Sequence, residues 1–110
     1  MRYVELSLGF STADGYEVCL AFDGKNLTLD FIDWRETHQT TLFREVLAFR
    51  WGRELPQGVP RDDNSYEVLE SDWLTREVEL AGVTQDAILY AHYKLCFCGC
   101  GNLDVLCLRL

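Results

Sequence analysis

Residues 16–33, YEVCLAFDGKNLTLDFID, alternate apolar and polar side chains on both sides of an Asp23-Gly24 dipeptide. A period of two puts Val18, Leu20 and Phe22 on one face of a strand and Leu27, Leu29 and Phe31 on the matching face of the next. The intervening positions are more polar, with Cys19, Ala21 and Ile32 as exceptions. Asp-Gly between two such runs signals a β-hairpin, expected here from about Tyr16 to Trp34. A hairpin with one apolar face needs a second layer to cover it.

The flanking sequence extends that reading. RYVELSLGF alternates and predicts a first strand with Val4, Leu6 and Leu8 inward. THQTTLFREVLAFRW (37–51) fits a helix or two strands; its threonines and aromatic residues favour strands that turn at Arg44-Glu45 and return as VLAFRW. Residues 52–65 hold both prolines and two glycines and read as one long loop. After a short strand, SYEVL, comes the single principal helix: Ser71 caps it, Asp72 sits in its first turn, and Gly82 stops it. Leu74, Val78 and Ala81 form its apolar stripe, bordered by Trp73. AILYAHYKLCFC and LDVLCLRL then form a C-terminal hairpin. The expected fold is mostly β (α+β), a twisted antiparallel sheet or partly closed barrel of six to eight strands, with one principal helix before the C-terminal hairpin. With 110 residues and no repeat or linker, residues 1–110 are expected to form one domain.

Four of the five cysteines, Cys96, Cys98, Cys100 and Cys107, fall in this last hairpin. If Gly101-Asn102 were a two-residue turn, Cys96 would face Cys107, and His92, Lys94, Cys96 and Cys98 would share one strand face. Cys96, Cys98, Cys107 and His92 are therefore the alternative metal set. Against it, sulfurs in a flat Cys-x-Cys strand stand roughly 7 Å apart, whereas zinc knuckles wrap Cys-x₂₋₄-Cys around one ion. Five cysteines leave one unpaired in any disulfide scheme, and no Cys-x-x-Cys redox motif is present. The expectation is that the cysteines act as small strand hydrophobes, with no metal and no cofactor.

The formal charge of −8 disfavours nucleic acid and anionic membrane as partners and favours a basic one. No stretch approaches the ~18 apolar residues of a membrane span, and the N-terminus lacks a signal-peptide pattern, so a cytoplasmic protein is expected. No nucleophile elbow, P-loop or dinucleotide fingerprint occurs. Asp30, Asp33, Glu36 and His38 make a carboxylate–histidine group that reads best as a solvated hairpin end. The densest functional feature is the acidic segment Asp62, Asp63, Glu67, Glu70 and Asp72 with Trp73 beside it, which reads as a docking face for a basic protein. The expected function is thus a non-enzymatic protein-binding module, of the kind that an antitoxin or immunity protein uses against a basic effector. A metal or redox protein built on the cysteines, or a small-ligand-binding barrel, are the alternatives.

Overall fold

The computed structural model describes residues 1–53 and 58–110; residues 54–57 of the expected long loop lie outside the described residues. Among the described residues eight strands form two antiparallel sheets. Strands β1 (Arg2–Glu5), β5 (Ala48–Gly52), β6 (Ser65–Leu69), β7 (Tyr90–Phe97) and β8 (Gly101–Leu108) make a five-stranded sheet in the order β1-β6-β7-β8-β5. Strands β2 (Tyr16–Phe22), β3 (Leu27–Ile32) and β4 (His38–Phe43) make a three-stranded sheet in chain order. The helix α1 (Asp72–Ala81) leads through a short 3-10 segment, Thr84–Leu89, into β7. The fold is mostly β as the patterning predicts. It is two open sheets and not a closed barrel. No helix among the described residues is long and apolar enough to cross a membrane.

The core lies between the sheets. Leu27, Leu29, Phe31 and Phe43 of the small sheet meet Tyr93, Leu95 and Phe97 of β7 and Leu103, Val105 and Cys107 of β8. Phe31 and Phe97 pack edge to face across the gap, their centroids 5.0 Å apart. The first hairpin thus buries Leu27, Leu29 and Phe31 and half-buries Val18 and Leu20, as its alternation marks, whereas Phe22 at the end of β2 is 46% exposed and meets Phe49 edge to face. Its connection is longer than a two-residue turn: Phe22 pairs with Leu27, and the Asp23 carboxylate accepts the N–H groups of Lys25 and Asn26. The first strand departs further from its expected pattern. It ends at Glu5, so Val4 is 47% exposed while Leu6 and Leu8 reach the core from the following loop.

Residues 37–51 are strands, but they do not pair with each other. After β4 the chain crosses from the small sheet to the large one, where β5 pairs with β8. Residues 44–47 serve both sheets: Val46 N–H donates to Lys25 O, Leu47 N–H donates to Leu106 O, and Arg44 O accepts from Leu108 N–H. The expected turn at Arg44-Glu45 is instead this strap, with Glu45 in the left-handed region at φ 46°.

Helix α1 begins and ends where its capping residues require. The Ser71 hydroxyl accepts the Leu74 N–H at 3.2 Å, and Gly82 adopts φ 71° while Val83 N–H closes onto Val78 O. That is the Schellman pattern that an αL glycine permits. Of the expected stripe, Val78 is buried and Leu74 half-buried, whereas Ala81 is exposed. The helix lies on the face of the large sheet opposite the small one and covers only part of it.

The C-terminal hairpin differs in register from the two-residue-turn expectation. Cys98, Gly99 and Cys100 form the turn, so Cys96 pairs with Asn102 and Cys107 pairs with Ala91. The sliding strand moves by five residues relative to that expectation, and an odd shift reverses the faces. Cys107 therefore points into the core, while Cys96 and His92 point to the helix side.

Candidate functional site

On the helix side, β7 presents His92 and Lys94, β8 presents Asp104, and β5 presents Arg50. The Asp104 carboxylate is almost fully buried and is reached by His92 Nε2 at 2.8 Å, Lys94 Nζ at 2.9 Å and Arg50 Nε at 3.5 Å. Burial alone would raise Asp104. The hydrogen bonds and charges of His92 and Lys94 outweigh it and hold the carboxyl below its ordinary value. The other ring nitrogen, His92 Nδ1, lies 2.8 Å from Ser71 Oγ, and the edge of Trp73 packs on the imidazole while Arg50 stacks on the indole at 4.4 Å.

This serine–histidine–carboxylate chain was not legible in the sequence, because the register that joins His92 and Lys94 to Asp104 was not. It lacks the chemistry of a nucleophile and its base. Two cations already share Asp104, which leaves little negative charge to stabilise an imidazolium. Ser71 Oγ is engaged by Leu74 N–H and His92, and Ser71 is only 5% exposed. The network instead ties the N-terminus of α1 to the centre of the large sheet, with each of its buried polar atoms bonded.

The acidic segment is not one open face. Asp63 is held by Arg61 at 2.9 Å through both oxygens, Glu67 by Arg109 at 2.8 Å, and Glu70 by Arg2 at 3.1 Å. Asp72 is exposed in the first turn of α1, and Trp73 is half-buried against Arg50 and His92. Asp62 stands apart from these, beside Cys98 at the turn of the C-terminal hairpin. In the Asp30–His38 group, Asp33 is buried and accepts the N–H groups of Arg35 and Thr37 and the Gln39 amide, which fixes the turn. Asp30 pairs with His38 at 3.2 Å on the outer face of the small sheet.

Of the alternative metal set, Cys107 lies on the opposite sheet face from Cys96 and His92, and Cys98 lies in the turn. Among the described residues no group of three or more His, Cys, Asp or Glu side chains is placed to hold a metal ion. Burial pushes the Cys96 thiol up to about 11, against a lowering by Lys94, and pushes Cys107 up to about 12. Both thiols thus stay protonated in the folded chain while the unfolded chain ionises above the ordinary value of 9.0. Their contribution is complete below that value and is lost as the pH rises toward 11–12. By pH 10 the two together are expected to cost about 3 kcal/mol of stability. Urea unfolding at pH 8 and pH 10 should show a loss larger by about this amount in the native chain than in a Cys96→Ala/Cys107→Ala variant, in which the buried tyrosines, also pushed up, still respond.

A cleft of about 490 Å³ lies at the cysteine turn, where β2 of the small sheet approaches β5, β7 and β8 of the large one. Val18, Trp51 and Phe97 form its apolar wall, and Arg53, Asp62 and Asn102 its polar one. Gly101 makes the wall possible: a Cβ there would stand 2.4 Å from Trp51 Cζ2. Asp62 first, then burial, Asp63 and Asp14 push the Cys98 thiol up. The sequence marks Asp62, the cysteines and, as an aromatic near a loop end, Trp51, but not Arg53; the pairing of β5 with β8 is what brings Trp51 to the cleft. No protein-family model matches the chain, and neither a characterised protein nor a solved structure matches it.

Proposed function

We propose that the protein is a binding module for a basic protein and that a lysine or arginine side chain of the partner enters the cleft at the cysteine turn. The observation that carries this reading is the combination, in one cleft, of the Trp51 ring with the Asp62 carboxylate. A cation over an indole gains about 0.5–2 kcal/mol, and more where a carboxylate shares it. Arg53, on the same wall, is suited to a carbonyl or carboxylate of the same partner. The surplus of negative charge over the whole chain steers such a partner at long range. The docking face is thereby narrowed from the 62–72 segment to Asp62 and its surroundings, since Asp63, Glu67 and Glu70 already bond arginines of the chain. An antitoxin or immunity role in the cytoplasm fits this chemistry.

Titration with an arginine-rich peptide, followed by NMR, tests the proposal. Shifts are expected to centre on the Trp51 indole N–H, Arg53, Cys98 and Asn102, and Asp62→Lys should weaken binding at least tenfold. Asp72→Lys, away from the cleft, should change affinity less than twofold. Shifts spread evenly over the acidic surface, or equal effects of the two variants, would refute the cleft as the anchor. A small molecule that co-purifies in the cleft and blocks the peptide would favour a ligand carrier instead.

A further inference from the structure

We propose that Cys98 and Cys100 form a dithiol–disulfide couple in the β7–β8 turn and exchange with neutral or cationic disulfides at the mouth of the cleft. Both residues line that cleft, Cys98 exposed and Cys100 half-buried. The turn brings them together in a way that a strand does not. Cys100 N–H donates to Phe97 O at 2.8 Å, and Gly99 between the cysteines adopts φ 82°. Alternate Cα atoms in such a turn are roughly 5–6 Å apart, at the commonest disulfide span, whereas a flat strand holds them at ~6.6 Å, close to its upper limit.

Few interactions oppose the pairing. Cys100 Sγ would give up its contact with Gly15 O at 3.2 Å, and Cys98 Sγ its 3.9 Å approach to Asp62; thiols are weak donors, so both losses are small. A Cβ built on Gly99 meets nothing within 4 Å, so the outside of the turn is open to an incoming reagent. The other thiols are excluded by position: Cys96 and Cys107 are buried on opposite sheet faces, and Cys19 lies on the outer face of the small sheet.

The exchange balances without any further reactant. The Cys98 thiolate attacks one sulfur of a disulfide RSSR, forming a mixed disulfide and expelling RS⁻. Cys100 then attacks the Cys98 sulfur and expels the second RS⁻. The protein loses two protons and two electrons, and the reagent becomes two thiols. Asp62, its carboxylate 3.9 Å from Cys98 Sγ on the cleft wall, sets the selectivity together with the chain's surplus of negative charge, since their field repels an anionic disulfide and attracts a cationic one. None of this depends on the partner-binding reading.

The test treats the reduced full chain with cystamine, a dication, or with glutathione disulfide, which is anionic, and follows intact mass. Cystamine is expected to remove two hydrogen atoms, leaving no lasting adduct. Cys98→Ser and Cys100→Ser should each abolish that loss, while Cys96→Ser and Cys107→Ser retain it. At low salt the ratio of cystamine to glutathione rates should exceed that of the urea-unfolded chain by about tenfold, and Asp62→Asn or added salt should shrink it. A persistent mixed disulfide on Cys98, or two-hydrogen loss that survives either serine variant, would overturn the couple. A rate ratio equal to that of the unfolded chain would overturn the charge selectivity.

Discussion

Replacing Asp104 with alanine is expected to destabilise the protein by about 3–5 kcal/mol, because the change leaves the buried Lys94 ammonium without its counter-charge and the His92 ring without its partner. His92 Nε2 and Lys94 Nζ would each lose a bond of 2.8–2.9 Å, and Lys94 is only 13% exposed at its side chain. At roughly 4 °C per kcal/mol for a domain of this size, Tm should fall by at least ~12 °C. The same carboxylate sets the acid limb of stability. Its folded value is depressed, so the unfolded chain binds the proton more readily; the contribution of Asp104 is complete above about pH 4 and lost as the pH falls through the folded value. Thermal melts from pH 7 to pH 3 should show a steeper decline for the native chain than for Asp104→Ala. Parallel curves, or a Tm loss below about 4 °C, would mean that solvent already screens the network.

Gly101→Ala is expected to cost about 3 kcal/mol or more. The new Cβ would meet Trp51 Cζ2 at 2.4 Å, Cε2 at 2.6 Å and Gly52 O at 2.9 Å, at a φ of 147°. Two of these contacts are with a ring already packed on Phe97 and one is with backbone, so the clash is relieved only by moving β5 away from β8. Overpacking and the unfavourable backbone region each contribute on the order of 1–3 kcal/mol. Gly99→Ala is the internal control. Its φ of 82° is also positive, but its Cβ meets nothing within 4 Å, so only the backbone term, about 1–2 kcal/mol, remains. Chemical unfolding of the two variants should separate them by at least about 1 kcal/mol; equal losses would show that Trp51 moves aside freely.

These two sites show how far the sequence could be read. Gly101 stood out as part of a glycine-rich turn, but its reason, the Trp51 ring, comes from a strand about fifty positions earlier. Asp104 looked like any polar residue in an alternating strand. Only the register with β7 sets it between His92 and Lys94, and the two-residue-turn reading, displaced by an odd number of residues, put these groups on different faces. The partners of the acidic segment were hidden in the same way. Its carboxylates were correctly seen as a cluster, yet Glu67 and Glu70 meet Arg109 and Arg2, arginines 42 and 68 residues away.

The sequence by itself determined what short-range physics decides. The period-two runs became β2 and β3 with Leu27, Leu29 and Phe31 inward, because alternate side chains on an extended chain must point to opposite sides. Ser71 and Gly82 bounded the helix, because capping bonds join residues three to five positions apart. The tertiary structure decided which strands share a sheet, how far each slides against its neighbour and which charges cancel. Residues 37–51 illustrate the division. Their threonines and aromatic residues specify extended backbone locally, but whether β5 pairs with β4 or with β8 depends on hydrogen bonds and core contacts contributed by residues 101–108. An alternating pattern is equally satisfied by either partner, so it carries the strand and not its place in the sheet.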